Sequence, residues 1–164
     1  NLLSLIGDID TVMALTSNST RDFPVEDTAA MIFRFATGAP GPFLLSDTAA
    51  SARSWEQTSQ ENTSYPGYDD EDAYHIAGTQ GSLSVPTMRL KIFEGERSWW
   101  EPFTTSTESV ERSDPLAGQV KHFADVILGN AQPICSGRDG LKTMQVVDAV
   151  VESARTGLPV TLAN

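Results

Sequence analysis

Residues 134–160, ICSGRDGLKTMQVVDAVVESARTGLPV, constrain the fold more than any other stretch of the chain. Ser136 is placed to cap a helix, and Asp139 stands at the third helical position, where a carboxylate meets the positive end of the helix dipole. Gly157 ends that helix and Pro159 prevents its continuation. Leu141, Met144, Val147, Val151 and Ala154 recur at three- and four-residue spacing, which predicts a buried stripe. The element therefore reads as a long amphipathic helix followed by a short closing strand.

What precedes it supplies a sheet for such a helix to cover. DTVMALTS (10–17) and DTAAMIFRF (27–35) read as strands joined by the polar NSTRDFPVE, and ATGAPG turns the chain into a third strand, PFLLSDTAAS. Short connections make these three antiparallel neighbours. Residues 1–6 are apolar and are followed by Gly7 and Asp8, the pattern of a helix ending at a glycine cap. Residues 1–7 are thus expected to be the remnant of a helix already in progress.

Between Ser51 and Asp72 the periodicity dissolves into a polar loop with Trp55, Tyr65 and Tyr68, longer than most connections in compact domains. Strands resume with AYHIAG, SLSVP and MRLKIFEG, and the aromatic SWWEPFTT suits an edge strand or an interface. Asp114 and Pro115 then open a helix with Leu116, Val120, Phe123 and Ile127 along one face, stopped by Gly129 and Asn130. The expected fold class is α+β, a single domain over residues 1–164. Its core is an open, predominantly antiparallel mixed sheet with helices packed on one face, the other face being available for substrate or dimerisation. A broad apolar sheet face left in water predicts a partner, most simply a homodimer or higher homo-oligomer.

Charge excludes some functions. Twenty-two acidic against 11 basic residues give a formal net charge of −11, which repels nucleic-acid phosphates and anionic membrane surfaces. No apolar run reaches the roughly 20 residues that span a bilayer. Cys135 is the only cysteine, so no intrachain disulfide can form; it is expected to be a small buried residue, and a cytoplasmic, reducing compartment is expected.

Three polar residues are weak catalytic candidates. Asp47 is a carboxylate in the otherwise apolar FLLSDTAAS, so it must have a partner or solvent access: it either orients the loop or meets a ligand. Glu56 adjoins Trp55 at the start of the long loop. His75 has opposite parity from Tyr74 and Ile76 and so projects from the other side of its strand, toward a substrate, a neighbouring subunit or a structural hydrogen bond. Trp55, Tyr65, Tyr68, Trp99 and Trp100 are candidates to line a substrate pocket, against the alternative of a loop packed by its own aromatics. His122 reads as a polar flank of its helix. The run DDED at 69–72 has no calcium-loop or zinc spacing and reads as solvated loop rather than metal site. No dinucleotide fingerprint, phosphate loop or nucleophile elbow is present, so no cofactor or metal site is expected in this chain.

Taken together, EDTAAMIFRFATGAPGPFLLSDTAAS, SWEQTSQENTSYPGYDDEDAYHIAGTQGSLSVP and PLAGQVKHFADVILGNAQPICSGRDGLKTMQVVDAVVESARTGLPV resemble the C-terminal domain of the Gfo/Idh/MocA oxidoreductases, the glucose-fructose oxidoreductase and inositol dehydrogenase family. The resemblance covers nearly all 164 residues. It implies a domain that follows a dinucleotide-binding domain, receives substrate on its open sheet and mediates oligomerisation by sheet-to-sheet contact. It also implies that NLLSLIG is the tail of the helix carrying the family's active-site Asp and His, and that the acid-base lysine of a Glu-Lys-Pro motif lies elsewhere. Neither His75 nor His122 occupies the family's catalytic histidine position. NAD or NADP is expected only together with such an N-terminal domain. Three readings follow: a substrate-side and oligomerisation domain not competent for hydride transfer on its own; a free-standing, cofactor-independent isomerase, lyase or cyclase of a small organic substrate; and a structural dimer module or pseudoenzyme.

Overall fold

The structure, a computed structural model, describes residues 2–111 and 113–162. In chain order its elements are α1 (Leu2–Ile6), β1 (Ile9–Ser17), β2 (Thr28–Phe35), β3 (Pro40–Ser46), α2 (Trp55–Ser59), β4 (Tyr74–Ala77), β5 (Gly81–Val85), β6 (Arg89–Ile92), β7 (Thr104–Thr107), α3 (Pro115–Ile127), α4 (Gly137–Thr156) and β8 (Val160–Thr161). The expected open antiparallel sheet with helices on one face is present as two four-stranded sheets, ordered β3-β2-β1-β8 and β4-β5-β6-β7. The chain accordingly forms two compact units, Asn1–Ala49 with Pro133–Asn164, and Ala50–Gln132.

In the first unit, alternation along β2, and along β1 beyond the register shift between Ile9 and Thr11, sends one set of side chains inward. Ile9, Val12, Ala14, Met31, Phe33 and Phe35 form the core with Ala149 of α4, and Leu2, Leu3, Ile6 and Phe43 close over it. The apolar residues before Gly7 form the short helix α1, ended by Gly7 at φ 111°, a conformation that suits glycine; Asn1 itself lies outside the described residues. Asp8 beyond that cap pairs with Lys142 Nζ at 2.8 Å, tying α1 to the first half of α4.

The ends of α4 are where the sequence placed them. Ser136 Oγ accepts from the Asp139 amide, the Asp139 carboxylate accepts from the Ser136 amide at 2.7 Å, and Gly157 sits in the left-handed region at φ 70°. The Ser136 hydroxyl and amide, donating to Asp139, hold its carboxyl below the ordinary range.

The buried face of α4 is not the predicted one. Leu141, Met144, Val147 and Val151 are exposed by 48–58%. The sheet instead takes Val146, Ala149, Val150, Ser153 and Ala154, so only Ala154 of the expected stripe packs on the core. Small residues win because they let the helix approach the strands closely. Ser153, fully buried, accepts from the Ala14 amide at 2.9 Å and donates to the Leu158 carbonyl at 2.8 Å. Ala14 lies beyond the end of the β1–β8 ladder, and the serine satisfies an amide that would otherwise be orphaned. Cys135 is also a correction: it lies just before the Ser136 cap, exposed rather than buried.

The second unit is a meander of short strands in which Tyr74–Ala77, Gly81–Val85, Arg89–Ile92 and Thr104–Thr107 pair in sequence. Within the long loop, Ser54 caps the five-residue α2, and the Thr58 hydroxyl donates to the Ser54 carbonyl at 2.8 Å. The aromatic SWWEPFTT forms a turn rather than a strand until Thr104, and Phe93 and Phe103 close its base with ring centroids 4.2 Å apart. Helix α3 forms over its predicted residues with Asp114 as cap, but Leu116, Val120, Phe123 and Ile127 are all exposed.

Candidate functional site

On the outer face of β1–β2–β3, opposite α4, the register lines up four cross-strand rows. Thr11, Arg34 and Pro40 form the first, Met13, Ile32 and Pro42 the second, Leu15, Ala30 and Leu44 the third, and Ser17, Thr28 and Ser46 the fourth. The two middle rows are apolar and open to solvent, with Leu15 at 66% and Leu44 at 72% exposure. Both ends are polar. At one, Arg34 grips Asp10 through Nε at 2.9 Å and Nη2 at 2.6 Å and reaches Thr11 Oγ1 at 2.7 Å. Those bonds, from Arg34 first and Thr11 second, lower the Asp10 pKa. At the other, Thr28 and Ser46 hydroxyls meet at 2.9 Å and Ser46 and Thr48 at 3.2 Å. The face is an apolar band between an ion pair and a row of hydroxyls, a shape suited to contact rather than to proton transfer.

Asp47 stands just past β3 at the hydroxyl end. Its carboxylate meets Arg21 Nη1 at 3.1 Å, its carbonyl accepts from Arg21 Nη2, and its amide donates to the Asp27 carbonyl. Buried Asp27, which sequence reasoning passed over, closes the ring by accepting the Thr20 and Arg21 amides, each at 3.1 Å. Burial alone would raise its pKa, but the Arg21 amide, the Thr28 hydroxyl, the Thr20 amide and the Arg21 charge outweigh it and leave the pKa lowered. Asp47 is thus committed to holding the 18–25 loop. The signal for Asp27 lay in its position alone: a carboxylate at the entry to an apolar strand, preceded by a loop rich in amides.

The other candidates belong to the second unit. Trp55 leans on Tyr74, centroids 5.6 Å apart, and its indole N–H donates to Glu61 Oε2 at 2.9 Å. Tyr68 returns to α2 through its amide, which donates to the Gln57 carbonyl, while the Tyr65 and Tyr68 rings stay exposed. Glu56 points from the exposed side of α2. His75 lies on the exposed side of β4, opposite Tyr74 and Ile76, with Nδ1 3.1 Å from Ser84 Oγ. Trp99 and Trp100 extend from the β6–β7 turn almost wholly into solvent. No hydrogen bond or ion pair among the described residues joins Asp47, Glu56 and His75.

The DDED run corrects one expectation. Asp72 is buried, not solvated: Oδ1 accepts from the Thr87 amide at 3.0 Å and Oδ2 from Arg89 Nη2 at 2.7 Å. Burial opposes its charge, yet the Arg89 and Thr87 hydrogen bonds prevail and lower its pKa. Among the described residues no group of three or more His, Cys, Asp or Glu side chains could hold a metal ion, and no helix is long and apolar enough to cross a membrane.

Residues 2–162 match the oxidoreductase family, C-terminal alpha/beta domain. Solved structures share the fold. An oxidoreductase from Agrobacterium radiobacter in complex with NAD+, L-tartaric acid and magnesium is 22% identical with a TM-score of 0.65, the match covering 98% of this chain and 45% of that one. The WlbA dehydrogenase from Bordetella pertussis in complex with NADH and UDP-GlcNAcA is 22% identical with a TM-score of 0.64, covering 99% and 42%. A levoglucosan dehydrogenase in complex with NADH and levoglucosan is 19% identical with a TM-score of 0.67, covering 99% and 47%. The chain thus spans less than half the length of these proteins. No curated protein matches.

Proposed function

The chain belongs to the oxidoreductase family whose C-terminal alpha/beta domain its residues match, and from that premise we propose that it is the substrate-side and oligomerisation domain of an NAD(P)-dependent oxidoreductase. The observation that carries this reading is the outer face of β1–β2–β3, with apolar rows of Met13, Ile32, Leu15 and Leu44 in water between polar ends. A stable unit with a well-filled core on one side of its sheet has no folding reason to keep such a band on the other; a second copy of the chain covers it. The chemistry of hydride transfer belongs to a cofactor-binding domain, and this chain contributes shape and polar contacts to an oxygen-rich small organic substrate, of the kind that the WlbA and levoglucosan enzymes bind. Glu56, His75, Trp55, Tyr65, Tyr68, Trp99 and Trp100 are the side chains proposed to supply those contacts, whereas Asp47 serves the loop. An exposed, unpaired Cys135 suits the reducing cytoplasm.

Sedimentation velocity across a concentration series tests the central claim. The 164-residue chain should self-associate, and Leu15→Lys with Leu44→Lys should hold it monomeric with unchanged circular dichroism. A wild-type chain that stays monomeric at high concentration removes the oligomerisation reading. Turnover of a small organic substrate by this chain without nicotinamide would replace the substrate-side reading with that of a free-standing enzyme.

A further inference from the structure

The open face of the second unit's sheet runs against the acidic character of the chain. Register sets His75, Ser84, Arg89 and Thr107 side by side in one cross-strand row, and Ala77, Ser82, Lys91 and Thr105 in the next. The two rows share a face, because direct cross-strand partners and residues two apart along a strand point the same way. Together they carry two permanent cations, an imidazole, four hydroxyls and no carboxylate, although acidic residues outnumber basic ones 22 to 11 in the whole chain. Tyr74, Ile76, Leu83, Val85 and Leu90 take the opposite, half-buried face. Glu108 follows Ser106 to that side, its Oε1 accepting from Ser106 Oγ at 3.4 Å.

The donors of the open face are also uncommitted. Six basic side chains, Arg89 among them, meet a carboxylate within 3.1 Å, whereas exposed Lys91 meets none among the described residues. The hydroxyls of Ser82, Thr105 and Thr107 likewise form no hydrogen bond among those residues. Arg89 gives Nη2 to Asp72 and remains half-exposed. Adjacent strands lie about 4.8 Å apart, so a hydroxyl stands on each side of the Lys91 ammonium.

We propose that Lys91, flanked by Ser82 and Thr105 and backed by His75 and Arg89, binds the phosphoryl group of a small organic molecule. A carboxylate presents its lone pairs in one plane, whereas a tetrahedral phosphoryl presents three oxygens to donors on either side of a cation. The net charge of −11 opposes an extended polyanion, yet a single small anion is screened from carboxylates more than about 8 Å away at physiological salt. The proposal rests on the preceding reading of His75 as a substrate contact and gives that substrate a charge.

Nitrogen–proton NMR of the 164-residue chain at constant ionic strength tests it with glucose 6-phosphate, inorganic phosphate and glucose. Glucose 6-phosphate should shift the Ser82, Ser84, Lys91 and Thr105 amides saturably and at lower concentration than inorganic phosphate does, and glucose should leave them in place. Lys91→Gln should weaken that binding about tenfold with unchanged melting, and Lys121→Gln on α3 should not. Equal losses in the two variants make the attraction a matter of net charge and overturn the site. Inorganic phosphate binding as tightly as the sugar phosphate reduces the face to an adventitious ion site and also overturns it. Glucose shifting the same amides as strongly as its phosphate overturns the phosphoryl site but leaves the substrate-side reading standing. Shifts at these amides that follow protein concentration alone put a second copy on the face and overturn the proposal too.

Discussion

The two units have the same strand count and the same antiparallel pairing, yet they are held together differently. In the first, the buried side chains are mainly apolar, Val12, Met31, Phe33 and Phe35 among them, closed by a helix twenty residues long. In the second, the buried residues among those described are Thr58, Ser59 and Asp72, and the strands have only four or five residues each. One unit rests on burial of area, the other on satisfied polar groups. Area burial tolerates changes of charge and pH; a polar clamp depends on every partner.

Removing a large core side chain should show the first kind of support at its strongest. Phe35→Ala empties a fully buried site and should cost about 3–5 kcal/mol, read as loss of amide protection in β1 and β2 while β5 and β6 keep theirs. Ser153→Ala probes a polar group that unit hides beneath α4. It leaves the Ala14 amide buried without its acceptor and should cost about 1–3 kcal/mol, whereas Ser153→Thr keeps the acceptor and tests the space alone. If Ser153→Ala proves as costly as Phe35→Ala, the division between area and polar support fails for the first unit.

For the second unit the corresponding change is Asp72→Asn. It keeps the shape but loses the charge that Arg89 and the Thr87 amide meet, and should lower protection in β5 and β6 by about 1–3 kcal/mol. Acid should do the same to the wild type. Because folding lowers the Asp72 pKa, its stabilisation is complete above the unfolded carboxylate value of about 3.9 and disappears as pH falls through the folded value below it. Asp72→Asn should flatten that acid limb in β5 and β6, with little change in β1 and β2. Gly81→Ala is expected to fall in the same range, about 1–3 kcal/mol, because an added Cβ would press on the Lys91 carbonyl of the neighbouring strand.

The same contrast decides what was legible in the sequence. β1 and β2 declared themselves because DTVMALTS and DTAAMIFRF alternate against a one-sided core, and a period of two admits one register. The ends of α4 were legible because Ser136, Asp139 and Gly157 act locally. Its buried face was not: a count of large apolar residues selects Leu141, Met144, Val147 and Val151, and nothing local says that Ala149 and Ser153 allow the closer approach. In the second unit the determinants are pairwise and distant in sequence. Asp72 looks like one carboxylate of four until Arg89 is placed beside it, and the five residues of α2 are too few to carry a helical period. The candidate site divides likewise. The apolar open face followed from strand parity, as did the outward direction of His75, whereas the engagement of Asp47 by Arg21 depends on how the 18–25 loop folds back.

The smallest expected effect gives the sharpest test of the second unit's design. Trp99 and Trp100 are, with Trp55, the largest side chains in that unit, and in an area-supported fold their removal would rank with Phe35→Ala. They are almost wholly exposed, so little area is lost on truncation, and each Trp→Ala change should alter β5 and β6 protection by less than about 0.5 kcal/mol. The Phe93–Phe103 contact should continue to close the turn beneath them. A neutral effect on stability joined to weaker binding of substrate or of a second copy would identify the pair as contact residues. A cost of several kcal/mol would mean that the second unit, too, rests on apolar burial, and the distinction between the units would have to be redrawn.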